Sequence, residues 1–142
     1  MSLQQSSVQA YRQTSVKTAT QGKIIVMLYD EALRQIDAAI QLLNDNSRQL
    51  DLVNNAVVKA QDVVTELMVS LDMENGGDIA QNLFRLYIFF NQQLMEGNIK
   101  KETSPLTQVR RLMAELRDAW KQIENTSVQS AAVPKTGLNI AG

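Results

Sequence analysis

The stretch Ile79–Met95, with the sequence IAQNLFRLYIFFNQQLM, contains one charged residue, Arg85, and is apolar on two sides of a helix. On a period of 3.6 residues, the first stripe consists of Ile79, Leu83, Leu86, Phe90 and Leu94, with Tyr87 at its border. The second stripe lies about 140° away and consists of Phe84, Ile88 and Met95. One stripe is enough to pack a helix into a small bundle. The second stripe therefore predicts a binding partner.

Three further helical periods surround this stretch, and each carries an apolar seam spaced by alternating threes and fours. The first helix is predicted over about residues 21–44, with the seam Ile25, Tyr29, Ala32, Ile36, Ala39 and Leu43. The second has the seam Leu50, Val53, Val57, Ala60, Val64, Leu67 and Leu71. The fourth has the seam Leu106, Val109, Met113, Leu116, Trp120 and Ile123. Gly97-Asn98 is predicted to end the third helix. Short turns between helices of about twenty residues favour antiparallel neighbours, so we expect an all-α, up-down, antiparallel four-helix bundle.

Two segments are predicted to lie outside this bundle domain, which we assign to residues 20–125. Residues 1–19 are polar, and Val8 and Tyr11 are spaced to share one face of a helical turn. We interpret residues 1–19 as an N-terminal capping segment that docks into an apolar groove, or alternatively as a frayed end with an exposed tyrosine. Residues 126–142 have no usable period and are expected to form a flexible tail.

The composition limits the classes of function. The chain has 142 residues, a net charge of −1 and no cysteine, so a phosphate-backbone binder and a disulfide scaffold are both unexpected. It contains neither a run of about 18 apolar residues nor a basic leader followed by an apolar region. We therefore predict a cytoplasmic protein that neither inserts into a membrane nor binds nucleic acid.

The absence of histidine and cysteine removes most catalytic chemistry. Histidine-dependent nucleophiles, phosphotransfer sites and imidazole or thiolate zinc sites all require these residues. The closest acidic pairs, such as Asp30 with Glu31, are interpreted as solvated helix faces. No glycine-rich phosphate loop occurs either. We predict that the protein is not an enzyme and uses no metal or cofactor.

The candidate binding residues are those that fall off the bundle seams of the second and third helices. They are Val58, Val69 and Met73 on the second helix and Phe84, Ile88 and Met95 on the third. Phenylalanine and methionine suit a groove that adapts to an irregular apolar face. The alternative is that these side chains pack against the fourth helix or the N-terminal segment.

Several motifs resemble those of the FliS family of flagellar secretion chaperones. They are Ala10-Tyr11, VKTAT at 16–20, IVMLYDEA at 25–32, AQDVVTEL at 60–67 with Ser70-Leu71-Asp72, Asn82-Leu83 with Leu86-Tyr87, and LRDAW at 116–120. The resemblance covers about residues 8–124. One departure is Gln21, where the family often has a proline at the start of the first helix.

The resemblance implies a cytoplasmic export chaperone with a helical-bundle fold. FliS-like proteins bind the disordered C-terminal segment of flagellin, prevent its premature polymerisation and help deliver it to the flagellar type III export apparatus. It also implies that the N-terminal segment can cover the groove. An export-gate protein and a competing regulatory protein are further partners that it leaves open. The apolar stripes alone leave a second class open, a helical adaptor or homo-oligomeric scaffold, and the expected state is a monomer or weak dimer.

Overall fold

A computed structural model describes residues 21–129, with side chains described for residues 21–125. The helices are α1, Gln21–Asn44; α2, Leu50–Val69; α3, Gly77–Lys100; and α4, Thr103–Gln129. The predicted all-α four-helix bundle is confirmed. The predicted N-terminal capping segment, residues 1–19, lies outside the described residues, as does the tail from residue 130. Helix α4 runs to Gln129, four residues beyond the predicted end of the bundle domain at 125.

The helices form a ring in which each packs on two neighbours. Helix α1 contacts α2 and α4, and α3 contacts the same two helices. Two ion pairs show the direction of α4 relative to α1: Arg110 Nε lies 2.7 Å from Asp37 Oδ1, and Arg117 Nε lies 2.7 Å from Asp30 Oδ1. Because the numbering rises along one helix as it falls along the other, these neighbours are antiparallel.

The predicted seams of α1 and α4 form the core with little change. Ile36 and Ala39 on α1 and Leu106 and Met113 on α4 are fully buried. On α2 the seam is buried from Val53 to Leu67, but the prediction for Leu50 was wrong. Leu50 is the first residue of α2 and remains exposed, because the seam there extends past the end of the packed bundle.

The predicted rotation of α3 was partly wrong. Ile79 was placed on the core stripe, but 43% of its surface is exposed, and Tyr87, placed at the border, is buried at the centre. The buried residues of α3 are Ala80, Tyr87, Phe90, Leu94 and Gly97. A helix with two apolar stripes has no internal signal for its rotation, so the partners supplied by the other helices decide it.

Gly97 does not end α3, contrary to the prediction. The helix continues to Lys100, and Lys101 adopts the left-handed conformation that ends it. A Cβ atom on residue 97 would lie 2.8 Å from Leu106 Cδ2 and 3.2 Å from the Glu102 carbonyl oxygen. The glycine is therefore needed for the close approach of α3 to the start of α4, which is a packing role.

A buried tyrosine pair joins α1 to α3 across the interior of the ring. The hydroxyl oxygens of Tyr29 and Tyr87 lie 2.7 Å apart, and both side chains are almost completely buried. The nearby indole of Trp120 on α4 opposes the effect of burial and acts to lower the pKa of Tyr29. Burial is nevertheless the dominant effect. It raises the pKa of Tyr87 to about 12 and, together with the neighbouring Tyr87, raises that of Tyr29 further.

This pair predicts a loss of stability at alkaline pH. Unfolded tyrosine ionises near pH 10, whereas the folded protein keeps both protons, so stability is fully present below pH 10 and falls above it. The expected slope is about 1.4 kcal/mol per pH unit for each tyrosine. Urea unfolding between pH 9 and 11.5 measures this slope. The double variant Tyr29→Phe/Tyr87→Phe should lose most of it, and an unchanged slope in that variant would contradict the assignment.

Candidate functional site

An open groove runs between α2 and α3 on the outside of the bundle. It contains a depression of about 260 Å³ lined by Gln61, Met68, Ile88, Asn91, Gln92 and Met95. Of these, Ile88 and Met95 are large apolar side chains that remain 37% and 51% exposed. We call this depression the α2–α3 groove. It contains two of the six predicted groove residues.

A row of polar side chains crosses between the two helices along the groove. Asn98 Nδ2 donates to Asn54 Oδ1 at 2.8 Å, and Gln61 Nε2 donates to the backbone oxygen of Asn91 at 3.2 Å. Asn91 Nδ2 donates to Thr65 Oγ1 at 3.3 Å. These hydrogen bonds fix α2 and α3 in one antiparallel register. We call the residues that form them the amide ladder: Asn54, Gln61, Thr65, Asn91 and Asn98. The groove therefore has a polar base between apolar walls.

The apolar wall on α3 continues beyond the groove towards the end of the helix. A second depression of about 450 Å³ is lined by Gln92, Gln93, Met95, Glu96, Ile99 and Lys100, and it shares Gln92 and Met95 with the first. Ile99 is four residues after Met95, so the two lie on one face. Ile99 is one of the most exposed large apolar side chains of the described residues.

The other four predicted groove residues are placed less centrally. Val58 is exposed on α2, one turn before Gln61 and hence beside the amide ladder. Val69 is 70% exposed and is the last residue of α2. Met73 was assigned to the second helix, but α2 ends before it, and it lies exposed in the following turn. Phe84 is half-buried and does not line either depression.

The predicted cap residues Val8 and Tyr11 lie outside the described residues. Sequence reasoning missed Gln61, Met68, Asn91 and Ile99 as members of the surface. The spacing of Ile99 from Met95 was a usable signal for one of them. The amides gave no signal, because a polar residue on a helix normally faces solvent, and only the pairing of α2 with α3 brings these residues together.

The turn between α2 and α3 is negatively charged and lies next to exposed apolar side chains. No lysine or arginine occurs between Lys59 and Arg85, whereas this interval contains Asp62, Glu66, Asp72, Glu74 and Asp78. The side chain and backbone N–H of Asn75 donate to Asp72, and these hydrogen bonds lower its pKa. Val69, Met73 and Ile79 are exposed among these acids. We call residues 69–79 the acidic corner.

The described residues contain no cluster of side chains that could hold a metal ion and no helix that could span a membrane. Within residues 21–129, no group of three or more acidic, histidine or cysteine side chains is placed to hold a metal ion. No helix in this part of the chain is both long and apolar enough to cross a membrane. The arrangement of the groove is suited to binding an amphipathic segment, with apolar walls for its anchors and amides at its base.

Comparison with known proteins identifies the family of this chain. The family model described as flagellar protein FliS matches residues 4–127. The chain belongs to the FliS family. The flagellar secretion chaperone FliS of Vibrio cholerae is 35% identical over 124 residues, covering 82% of this chain and 88% of the relative. That of Bacillus subtilis is 32% identical over 118 residues, covering 83% and 86%, and that of Escherichia coli is 33% identical over 119 residues, covering 80% and 86%.

Family membership confirms the resemblance carried by the sequence motifs. It supports a role as a chaperone of flagellar secretion, and the relatives are named for that non-enzymatic role. Among the FliS motifs, Tyr29, Tyr87 and Trp120 are buried in this chain. Part of the motif set therefore maintains the bundle, while Gln61 of the groove lies within the motif at 60–67 and Ile88 and Met95 lie outside the motifs.

The groove walls are expected to contribute little to folding. Ile88→Ala should lower the free energy of unfolding by less than about 1 kcal/mol, because the side chain is already partly in water. Phe90→Ala, on the same helix but fully buried, should cost about 3–5 kcal/mol. Urea unfolding of the two variants provides the comparison. Equal losses would mean that Ile88 is a core residue.

Proposed function

We propose that this chain is a cytoplasmic export chaperone that binds the disordered C-terminal segment of flagellin in the α2–α3 groove. Binding there prevents premature polymerisation and holds the cargo for delivery to the flagellar type III export apparatus. The observation that carries the proposal is the open groove itself, with Ile88 and Met95 exposed beside the hydrogen bonds that join α2 to α3.

The physical requirement for such a chaperone is apolar area. Ordering a disordered segment costs about 2–5 kcal/mol or more, which the buried interface must offset. The walls of the groove, extended by Ile99 at one end and by the exposed Val69 and Met73 at the other, offer a long surface. An amphipathic helix with apolar anchors spaced by three and four residues fits this shape. Helix formation by the cargo would also hide surface that drives flagellin polymerisation.

This function requires neither catalysis nor a cofactor. Its steps are binding, shielding and release, so it agrees with the absence of histidine and cysteine from the sequence. An export-gate protein is the further partner that delivery requires, and a regulatory protein competing for the same groove would control it. The basic residues Lys100 and Arg110 form salt bridges with Glu96 and Asp37. These residues are accordingly assigned to the solvated surface.

Calorimetry with a synthetic peptide tests the proposal. The peptide comprises roughly the last forty residues of the flagellin from the same bacterium, a length that allows several helical turns. We expect saturable 1:1 binding, a gain of helix by circular dichroism and a negative heat-capacity change from buried apolar surface. Ile88→Asp should weaken binding by about tenfold or more, because a charge would replace an apolar contact.

Leu52→Asp is the matched control for this experiment. Leu52 is about as exposed as Ile88 but lies on the flank of α2 that faces away from the groove. It should bind the peptide like the unmodified chain. Equal weakening by both substitutions would contradict the assignment of the groove. A stable dimer in sedimentation that buries Ile88 and does not bind the peptide would favour the homo-oligomeric scaffold instead.

We further propose that the N-terminal segment caps the groove through Val8 and Tyr11. Residues 1–19 include Arg12 and Lys17 but no acidic residue, a charge that complements the acidic corner. A cap lowers the apparent affinity for cargo by the fraction of time that it occupies the site. The segment thus shields apolar surface until cargo arrives.

Removing the two apolar anchors tests the cap. The variant Val8→Ala/Tyr11→Ala should bind the flagellin peptide more tightly or aggregate more readily, since the apolar surface is then less shielded. Ser6→Ala/Gln9→Ala, with the same spacing at polar positions, is the control. Calorimetry and light scattering report the two effects. If affinity and solubility both stay at the unmodified values, the cap hypothesis fails.

A further inference from the structure

Asn91 at the base of the α2–α3 groove has an unsatisfied side-chain oxygen. Its Nδ2 donates to Thr65 Oγ1, and its backbone oxygen accepts from Gln61. Its Oδ1 is buried and has no hydrogen-bond partner among the described residues. Buried polar atoms of folded proteins nearly always have a partner, so an exception requires a physical reason.

Reversing the carboxamide of Asn91 does not give all of its polar atoms a hydrogen-bond partner. The oxygen and nitrogen of an asparagine side chain can exchange places, and the hydroxyl of Thr65 can either donate or accept. In the reversed orientation Thr65 would donate to the oxygen, and the Nδ2 donor would then lack a partner. Either orientation leaves one polar atom of Asn91 unsatisfied. A leucine of similar size at this position would avoid the free-energy cost of burying an unpaired polar atom.

The position of Asn91 connects this atom to binding. Ile88 precedes it by three residues and Met95 follows it by four, and all three side chains line the same groove. The unsatisfied group therefore lies between the two apolar anchor points of the α3 wall. A helix lying in the groove would place one of its own side chains opposite this point whenever its anchors occupy the two walls.

We infer that Asn91 is a specificity-determining residue of the groove. It selects a bound helix that carries a hydroxyl or carboxamide side chain between two apolar anchors, and this side chain supplies the hydrogen bond that Asn91 lacks. Such a side chain can donate or accept, so it satisfies either orientation of Asn91. The χ2 torsion of asparagine is broad, which allows the carboxamide to turn towards the groove when the ligand arrives. The inference rests on the proposed function, because it describes the ligand of the same groove.

The consequence is selection against fully apolar helices. A cargo helix with leucine at the contact position would leave the polar atom of Asn91 buried without a partner, and that is costly. A helix with a glutamine, serine or threonine there would not. The groove therefore distinguishes a moderately polar cargo segment from the many apolar segments exposed by other unfolded proteins.

The test combines a groove variant with substitutions in the peptide. Asn91→Leu should unfold at an equal or higher urea concentration, because its lost partner, Thr65, is exposed and can bond to water. It should bind the C-terminal flagellin peptide about tenfold more weakly, equivalent to about 1.4 kcal/mol. Asn82→Leu, an exposed amide on α3 outside the groove, should bind unchanged.

The peptide is then varied by replacing each of its hydroxyl and carboxamide side chains with alanine in turn. One replacement should weaken binding to the unmodified chain but have no effect on Asn91→Leu, which identifies the partner of Asn91 by a double-mutant cycle. Asn91→Ala provides a second variant should the leucine variant fold poorly, and it should show the same coupling.

The outcomes separate the two proposals. If the unmodified chain binds the peptide and both Asn91 variants bind within twofold of it, the inference about Asn91 is overturned and the chaperone function stands. If every peptide replacement acts equally on the unmodified chain and the variants, the selected side chain does not exist. If the unmodified chain does not bind the peptide at all, the proposed function fails and the inference fails with it.

Discussion

The hydrogen bond between the hydroxyls of Tyr29 and Tyr87 is the interaction on which the functional surface depends. The two residues are 58 positions apart in sequence and belong to helices on opposite sides of the ring. A buried phenol without a partner is costly, so the pair is satisfied only when α1 and α3 adopt one register and one rotation. Successive residues of a helix are about 100° apart. With Tyr87 turned inward, Ile88, Asn91 and Met95 must lie together on the flank that faces α2.

The seams of α1 and α4 were predictable because their spacing by threes and fours marks the face that meets the core. On α1, Ile24, Val26 and Leu28 are buried in addition to that seam. Helix α3 has two stripes, and its periodicity cannot decide which is buried. The inward position of Tyr87 is matched by the hydroxyl of Tyr29, which comes from a distant part of the chain. Ile79 is exposed in the first turn of α3. Gly97 was misinterpreted for a related reason. A glycine near the end of a period is a helix-stop signal unless another helix approaches it, and Leu106 does so.

Only part of the candidate groove could be predicted from the sequence. Ile88 and Met95 follow from the spacing of the second stripe, whereas the amide ladder required the pairing of α2 with α3. The ladder also explains how a soluble protein tolerates this surface. Asn54, Asn91 and Asn98 place polar amides between the apolar walls, so the exposed apolar area is divided into smaller patches, which limits self-association. The same polar base gives the groove a means of discrimination that a uniformly apolar groove would lack.

Methionine methyl NMR tests the central claim, that cargo binds between α2 and α3, most directly. Met68 and Met95 line the groove and Met73 lies at its acidic corner, whereas Met27 is exposed on α1 and Met113 is buried in the core. With the methyl groups labelled with ¹³C, addition of the flagellin peptide should shift the resonances of Met68 and Met95 strongly and leave that of Met27 nearly unchanged. A shift of Met27 without any change at Met68 and Met95 would place the cargo on another face of the bundle and contradict the account.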